Sequence, residues 1–289
     1  MVKTANYTNV YDFTRGFVGR VINFNDKIAY GVPTELKKVS SISEVDSTLN
    51  SWYTDGTKVF VNIGEVPTNA IVPLLPSDLL RYTSITNNFY VENINLYGSA
   101  RPARFELKGT NTVVFKNVGF FYSTATNGNG LEVVGGKLAI VENCRALCNN
   151  MDGFNYHIGA DGSKPGIIEI NSVGYENGIE KGTAGNKSNN GSTIHDGLKG
   201  VRVNCSYGRN DGGNVADVNV GTESWNLGVV AFESYQNTDF LAVDGAKIWL
   251  DYGISYGTSQ GLYVDATSTA YVRNPNIQTE NVLGTKQDY

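Results

Sequence analysis

The sequence predicts an all-β chain wound as a parallel β-helix, and three observations carry that reading. A triplet ending in Asn or Asp recurs inside apolar, β-branched runs: Val91-Glu92-Asn93, Phe115-Lys116-Asn117, Val141-Glu142-Asn143, Glu169-Ile170-Asn171, Arg202-Val203-Asn204, Trp249-Leu250-Asp251 and Val272-Arg273-Asn274. Its last residues are 24, 26, 28, 33, 47 and 23 apart, the 47 being about two turns of the common step. A period in the twenties, with strand-type residues and no helical spacing, is how a solenoid reads in sequence. A second register accompanies the first. Gly or a polar residue precedes an apolar strand at Gly130-Leu131, Gly153-Phe154, Gly197-Leu198, Gly213-Asn214-Val215, Asp239-Phe240 and Gly261-Leu262. The 33 Gly residues are the third observation, because turns between short strands repeatedly demand positive φ. A β-sandwich shares short strands and Gly-rich turns, but it has no reason to repeat one triplet at one period.

Three parts follow from this pattern: an N-terminal arm, short helix and capping strands over 1–86, the β-helix over 87–278, and a frayed tail over 279–289. In the first part, Ser41 is a candidate N-cap, with Glu44 completing a capping box. Val45, Leu49 and Trp52 then share one face of a helix running to Tyr53. Asp55-Gly56 marks a tight turn into the strand Val59–Ile63. Inside the repeat, Asn at a fixed place in successive coils is expected to stack amide on amide, Asn143 among them. Two steps carry excess residues, Ser172–Asn204 and Asp211–Ser234, and both are expected to leave the scaffold as neighbouring functional loops.

Composition narrows the function classes. The net charge of −5 disfavours nucleic acid as a partner. No apolar run is long enough to span a bilayer, and the polar start Met1-Val2-Lys3-Thr4 precedes no signal-type apolar region. The expectation is a chain that reaches a virion or the cell exterior without a Sec signal. Three Cys without paired spacing argue for buried thiols and against a disulfide framework.

Ionisable and aromatic groups concentrate between Asp152 and Trp225, where both His residues of the chain fall. Met151-Asp152-Gly153, His195-Asp196-Gly197 and Asn210-Asp211-Gly212 share one form. If each opens a strand, their carboxylates stack along one edge, about 4.8 Å per coil apart. That spacing covers the carboxyl separations used by retaining and inverting glycosidases. Asp152, His195, Asp196, Asp211 and Asp217 are therefore the candidate catalytic residues. His157, Glu180, Arg202, Arg209, Glu223 and Trp225 are candidates for substrate binding. The competing chemistry is β-elimination from a uronic acid, with a base such as His195 and a cation such as Arg202 or Arg209 against the substrate carboxylate. No third ligand stands at suitable spacing from His195-Asp196, so neither a metal nor another cofactor is expected. Asp before Gly also serves as a plain turn former, and Trp225 as a packing residue.

The run Asn190-Gly191-Ser192-Thr193-Ile194-His195-Asp196-Gly197, with Val201-Arg202-Val203-Asn204 and Glu223-Ser224-Trp225-Asn226-Leu227-Gly228, resembles the central coils of phage tailspikes and related capsule depolymerases. The segment from Trp52-Tyr53 to Val61 resembles the strand before their solenoid, so the resemblance covers roughly residues 45–280. It implies a right-handed, single-stranded parallel β-helix of the pectate-lyase-like kind, usually homotrimeric, that binds and often cleaves bacterial surface polysaccharide. Catalytic residues differ widely among such proteins, and none transfers on motif alone. The chain departs from them in having no evident virion-binding head or C-terminal trimerisation module. The expectations are thus a polysaccharide depolymerase, hydrolase or lyase, and beside it a glycan-binding spike that does not cut, or a purely structural spike.

Overall fold

The computed structural model describes residues 1–178, 189–236 and 238–289. These form two compact units, Met1–Ser77 with Gly98–Ala100, and Asp78–Tyr97 with Arg101–Tyr289. Among the described residues no helix is long and apolar enough to cross a membrane.

The first unit holds a five-stranded and a three-stranded sheet. Asp55 makes the expected turn: its Oδ1 accepts from the backbone N–H of Thr57 and Lys58, joining strands Ser51–Thr54 and Lys58–Asn62 into an antiparallel hairpin. The helix is shorter than its apolar spacing predicts and spans Ile42–Ser47. Ser41 caps it by accepting from Glu44 N–H, while the Glu44 carboxylate reaches back one residue further than expected, to Ser40 N–H. Val45 is buried, but Leu49 is exposed, and Trp52 buries itself from a strand. Tertiary pairing of 51–54 overrides the helical period there.

The second unit is a parallel β-solenoid of about eight turns. Each turn contributes one strand to each of three parallel sheets, taken in the order I, II, III. Sheet I runs from Leu80–Ile85 through Phe154–His157, Ser192–Ile194, Val215–Val218, Thr238–Val243 and Gln260–Val264 to Glu280–Val282. Sheet II runs from Phe89–Glu92 through Gly166–Ile170, Lys199–Val203, Glu223–Leu227 and Lys247–Asp251 to Thr285–Asp288, and sheet III from Asn95–Tyr97 to Asn276–Ile277. The solenoid therefore starts before residue 87. The segment expected to fray supplies two more strands, because Leu262 pairs with Glu280 and Thr269 with Thr285.

Alternation decides which side chains enter the core. In the sheet II strands Thr112–Lys116, Leu138–Glu142 and Gly166–Ile170 every second residue is buried. Phe105, Phe115, Phe120 and Phe154 follow one another in edge-to-face contact at 5.1, 5.5 and 6.4 Å through the early core. Cys144 and Cys205 lie in this core as free thiols pushed up to about 12 by burial, while Cys148 is only half-buried.

The triplet marks the corner between sheets II and III. Asn93, Asn117, Asn143, Asn171 and Asn204 have φ between 50° and 58°, the left-handed region that Asn tolerates. The corner positions of the next coils are Gly228, Tyr252 and Asn274, so Asp251 ends a strand and is not itself the corner. The steps from Asn204 become 24, 24 and 22, which makes Asp211–Ser234 an ordinary coil and not an insertion. Only the step from Asn171 to Asn204 is long, and its residues 179–188 lie outside the described residues.

Candidate functional site

The amide ladder exists, but at the opposite corner from the one expected. Asn143 is exposed, and of the triplet Asn residues Asn117 bonds Asn93 at 2.9 Å. Between sheets III and I, Asn149 Nδ2 donates to Asn177 Oδ1 (3.0 Å), Asn177 to Asn210 (2.9 Å), Asn210 to Asn214 (2.7 Å), and Asn214 to the Asp239 carboxylate (2.6 Å). Burial pushes Asp239 up, opposed by its hydrogen bonds from Ser255, Thr258 and Asn214.

This corner absorbs two of the candidate catalytic acids. Asp152 is fully buried; it accepts from Asn190 N–H at 2.7 Å and Asn155 Nδ2 at 2.5 Å, and burial raises its pKa. Asp211 is also fully buried and accepts from Asn189 Nδ2 at 3.2 Å. An Asp ahead of a sheet I strand is drawn inward by the backbone and amide donors of the corner, so neither carboxylate reaches a polymer outside. Asp196 does not join them. It follows the sheet I strand Ser192–Ile194, with φ 61°, in the turn toward sheet II. The expected stack of Asp152, Asp196 and Asp211 is therefore absent.

Asp217 and Arg202 leave the surface too. Both are fully buried inside the solenoid with Glu169. Arg202 Nη1 lies 3.1 Å from Asp217 Oδ1 and its Nε donates to Ser192 Oγ at 2.9 Å; Ser192 Oγ donates to Glu169 Oε1 at 2.6 Å, and Tyr207 OH to Glu169 Oε2 at 2.5 Å. Burial raises Asp217 against the attraction of Arg202. This is a buried ion cluster, closed to substrate.

The remaining candidates scatter. Trp225 and Glu223 project from the outer face of sheet II. Trp225 stacks on Trp249 at 4.6 Å, and Trp249 on Tyr271 at 4.5 Å, so these rings cover one another's faces where a sugar would have to lie. Glu223 pairs with Lys199 at 2.7 Å. Arg209 bonds Glu176 Oε1 at 2.6 Å and Tyr235 OH at 2.8 Å. Glu180 lies outside the described residues.

Three candidates do meet, on the outer face of sheet I. His157 and His195 occupy equivalent places on neighbouring strands, since Tyr156 pairs with Ile194, and their rings stack at 4.5 Å and 11°. Asp196 Oδ2 accepts from His157 Nδ1 at 3.2 Å and from Ile158 N–H at 3.3 Å. A carboxylate at Nδ1 places the proton there and leaves the Nε2 lone pair free as an acceptor or base. His195 is lowered to about 4, first by burial and then by the neighbouring His157, so it is neutral at pH 7. The Lys164 ammonium is close by: a Cβ on Gly197 would stand 2.8 Å from its Nζ.

From His195 a groove of about 450 Å³ runs over the outer face of sheet I. Its floor is made by outward residues of four successive strands, Thr193, Ala216 with Val218, Leu241 with Val243, and Tyr263. Asn190, Gly213, Gln236, Thr238 and Gln260 also line it, as do Asp244 and Asp265. For Asp265 burial alone would raise the pKa, but the Asp244 N–H and the Ser268 and Thr267 hydrogen bonds together hold it low. None of these groove residues except His195 was expected as a site residue. Among the described residues no group of three or more His, Cys, Asp or Glu is arranged to hold a metal ion. Compared with protein-family models, curated proteins and solved structures, the chain matches none.

Proposed function

We propose that the chain is a tailspike-like protein that holds an extended bacterial surface polysaccharide in the sheet I groove and cleaves it beside His157 and Asp196. The groove is the observation that carries this reading. It crosses four strands, and three spacings of about 4.8 Å give a run of about 14 Å along the solenoid. An aliphatic floor between polar groups suits a sugar chain, whose rings present C–H faces and whose edges present hydroxyls. His157, oriented by Asp196, supplies a base at the groove's end. Two-carboxylate hydrolysis fits less well. It requires an acid held protonated at working pH, and Asp152 and Asp217, which burial raises, are sealed in the corner and the core. Proton abstraction by His157 is the chemistry we favour.

The test is incubation of the protein with a panel of capsular and O-antigen polysaccharides, following reducing ends and unsaturated-uronate absorbance. His157→Ala should lose product while retaining binding. A panel on which nothing is bound and nothing is cut refutes the proposal. Binding without cleavage leaves the second reading, a receptor-recognition spike. That reading is favoured by the burial of Asp152, Asp211 and Asp217, which leaves His195 and Asp196 alone of the expected catalytic set on this face. Homotrimerisation belongs to the same proposal, with the half-exposed file of Val201, Trp225, Trp249 and Tyr271 on sheet II as the surface to be covered. A monomer by sedimentation equilibrium removes that part.

A further inference from the structure

A base that removes a carbon-bound proton is effective only where the charge left behind is taken up. The cations to which the sequence pointed are engaged elsewhere: Arg202 with Asp217 in the core, Arg209 with Glu176 and Tyr235. Lys164 is not. It is exposed, and among the described residues it makes no hydrogen bond and no ion pair. Its loop, residues 159–165, accounts for that. The acid nearest to it in sequence is Asp161, and both carboxylate oxygens there are occupied. Oδ1 accepts from the Ser163 N–H at 3.1 Å and the Ser163 hydroxyl at 2.5 Å, and Oδ2 from the Gly109 N–H at 2.9 Å. These bonds hold Asp161 down to about 2. Ser163 Oγ also accepts from the Gly136 N–H at 2.8 Å, so the loop is tied to earlier coils and Lys164 starts from a fixed base. Its side chain then crosses to the next coil. Nζ stands 2.8 Å from the place that a Cβ on Gly197 would take. Gly197 follows Asp196, whose Oδ2 faces His157 Nδ1. Two neighbouring coils thus bring a base, its orienting carboxylate and an uncompensated ammonium to one corner of the surface. The His157 and Asp196 side chains are 34% and 33% exposed, so a ligand reaches them from outside. Asp196 alone would repel an anionic sugar, and Lys164 offsets it.

We propose that Lys164 receives the carboxylate of a uronic acid whose C5 proton is taken by His157. His157 Nε2 bonds the proton as the C5–H bond breaks, and the electron pair passes into the carboxylate, where the ammonium meets the added charge. The pair then forms the C4–C5 double bond, the C4–O bond breaks, and the leaving oxygen recovers the proton from the His157 imidazolium. No water or other co-reactant is consumed. Each cut yields one unsaturated uronate and one reducing end. The assignment rests on the reading of the groove as a glycan site and names the sugar that stands at the cut.

The probes are polygalacturonate, alginate, hyaluronan and uronate-bearing capsular polysaccharides, each beside its carboxyl-reduced form. At least one uronate polymer should give unsaturated uronate and reducing ends in equal number, and its reduced form neither. Lys164→Met should melt like the wild type, because the side chain makes no bond within the described chain. It should cut about a hundredfold more slowly, the effect of removing one group that stabilises charge in the transition state. The fall should lie in kcat more than in KM, since the charge met by the ammonium grows as the proton leaves. Lys164→Arg should restore much of the rate. Lys199→Met, which removes an exposed ammonium from sheet II, should cut like the wild type. Uronate polymers bound but left whole, reducing ends without unsaturation, equal cutting of the reduced forms, or an unaltered rate in Lys164→Met overturns the assignment. So does binding of neutral polymers alone, which leaves the groove standing as a glycan site, whereas no bound polymer sinks both.

Discussion

Truncating one member of the corner ladder tests the load it carries. Asn177 is 1% exposed and its side chain makes four hydrogen bonds. Oδ1 accepts from Asn149 N–H at 3.1 Å and Asn149 Nδ2 at 3.0 Å; Nδ2 donates to Ala146 O and Asn210 Oδ1, both at 2.9 Å. In Asn177→Ala, Asn149 Nδ2 keeps Phe120 O and Asn210 Oδ1 keeps the residue 177 N–H. The Asn149 N–H loses the partner it has here. One buried donor left unmade costs about 1–3 kcal/mol, and three further bonds are each worth about 0.5–1.5 kcal/mol net, so the variant should lose about 5 kcal/mol. Asn143→Ala is the control from the opposite corner. That residue is exposed, and replacing it forfeits mainly the tolerance of Asn for φ 52°, below about 1 kcal/mol. Urea unfolding followed by tryptophan fluorescence and circular dichroism, at equal slope, gives both values. A loss under about 1 kcal/mol in Asn177→Ala, or an equal loss in Asn143→Ala, would show that the ladder is not what holds this corner.

Three other outcomes follow from the same geometry. His195 is lowered from 6.5 to about 4, so between those values the unfolded chain binds more protons; the stability it contributes is complete above about pH 6.5 and fades as pH falls toward 4. Unfolding free energies measured across that window should slope upward with pH in the wild type and less steeply in His195→Phe. Arg202→Met strands Glu169 and Asp217 in the core and should cost about 3–5 kcal/mol, while the triple variant with Glu169→Gln and Asp217→Asn should recover much of it by thermal unfolding. A triple variant no better than the single one would show that Arg202 acts by its volume and not by its charge. Trp225→Ala should leave glycan affinity in isothermal calorimetry unchanged, because its ring lies in the sheet II stack with Trp249 and the groove is on sheet I; a tenfold loss would move the binding face.

The fold was legible because the repeat reports backbone geometry. The left-handed corner accepts few residue types, and Asn at six of its eight described positions from Asn93 to Asn274 prints the period directly. The site was harder to read because a solenoid turns each coil through three faces and an interior, so ionisable groups close in sequence part company in space. Asp152, Asp217 and Glu223 went to the corner, the core and sheet II respectively. What predicts proximity is offset within the coil. Counting three residues on from Leu131, Phe154, Ser192, Val215, Phe240 and Leu262 gives Val134, His157, His195, Val218, Val243 and Asp265, one outward column along sheet I. Five of those six starting residues are visible in sequence as the apolar residue opening a strand after a Gly or polar turn. The sixth, Ser192, is masked because Gly197-Leu198 imitates the same signal while leading into sheet II. Ser192 is polar at an inward place because it bonds Glu169 and Arg202 in the core. The buried ion cluster therefore both removed two candidates from the surface and hid the strand on which His195 stands beside His157.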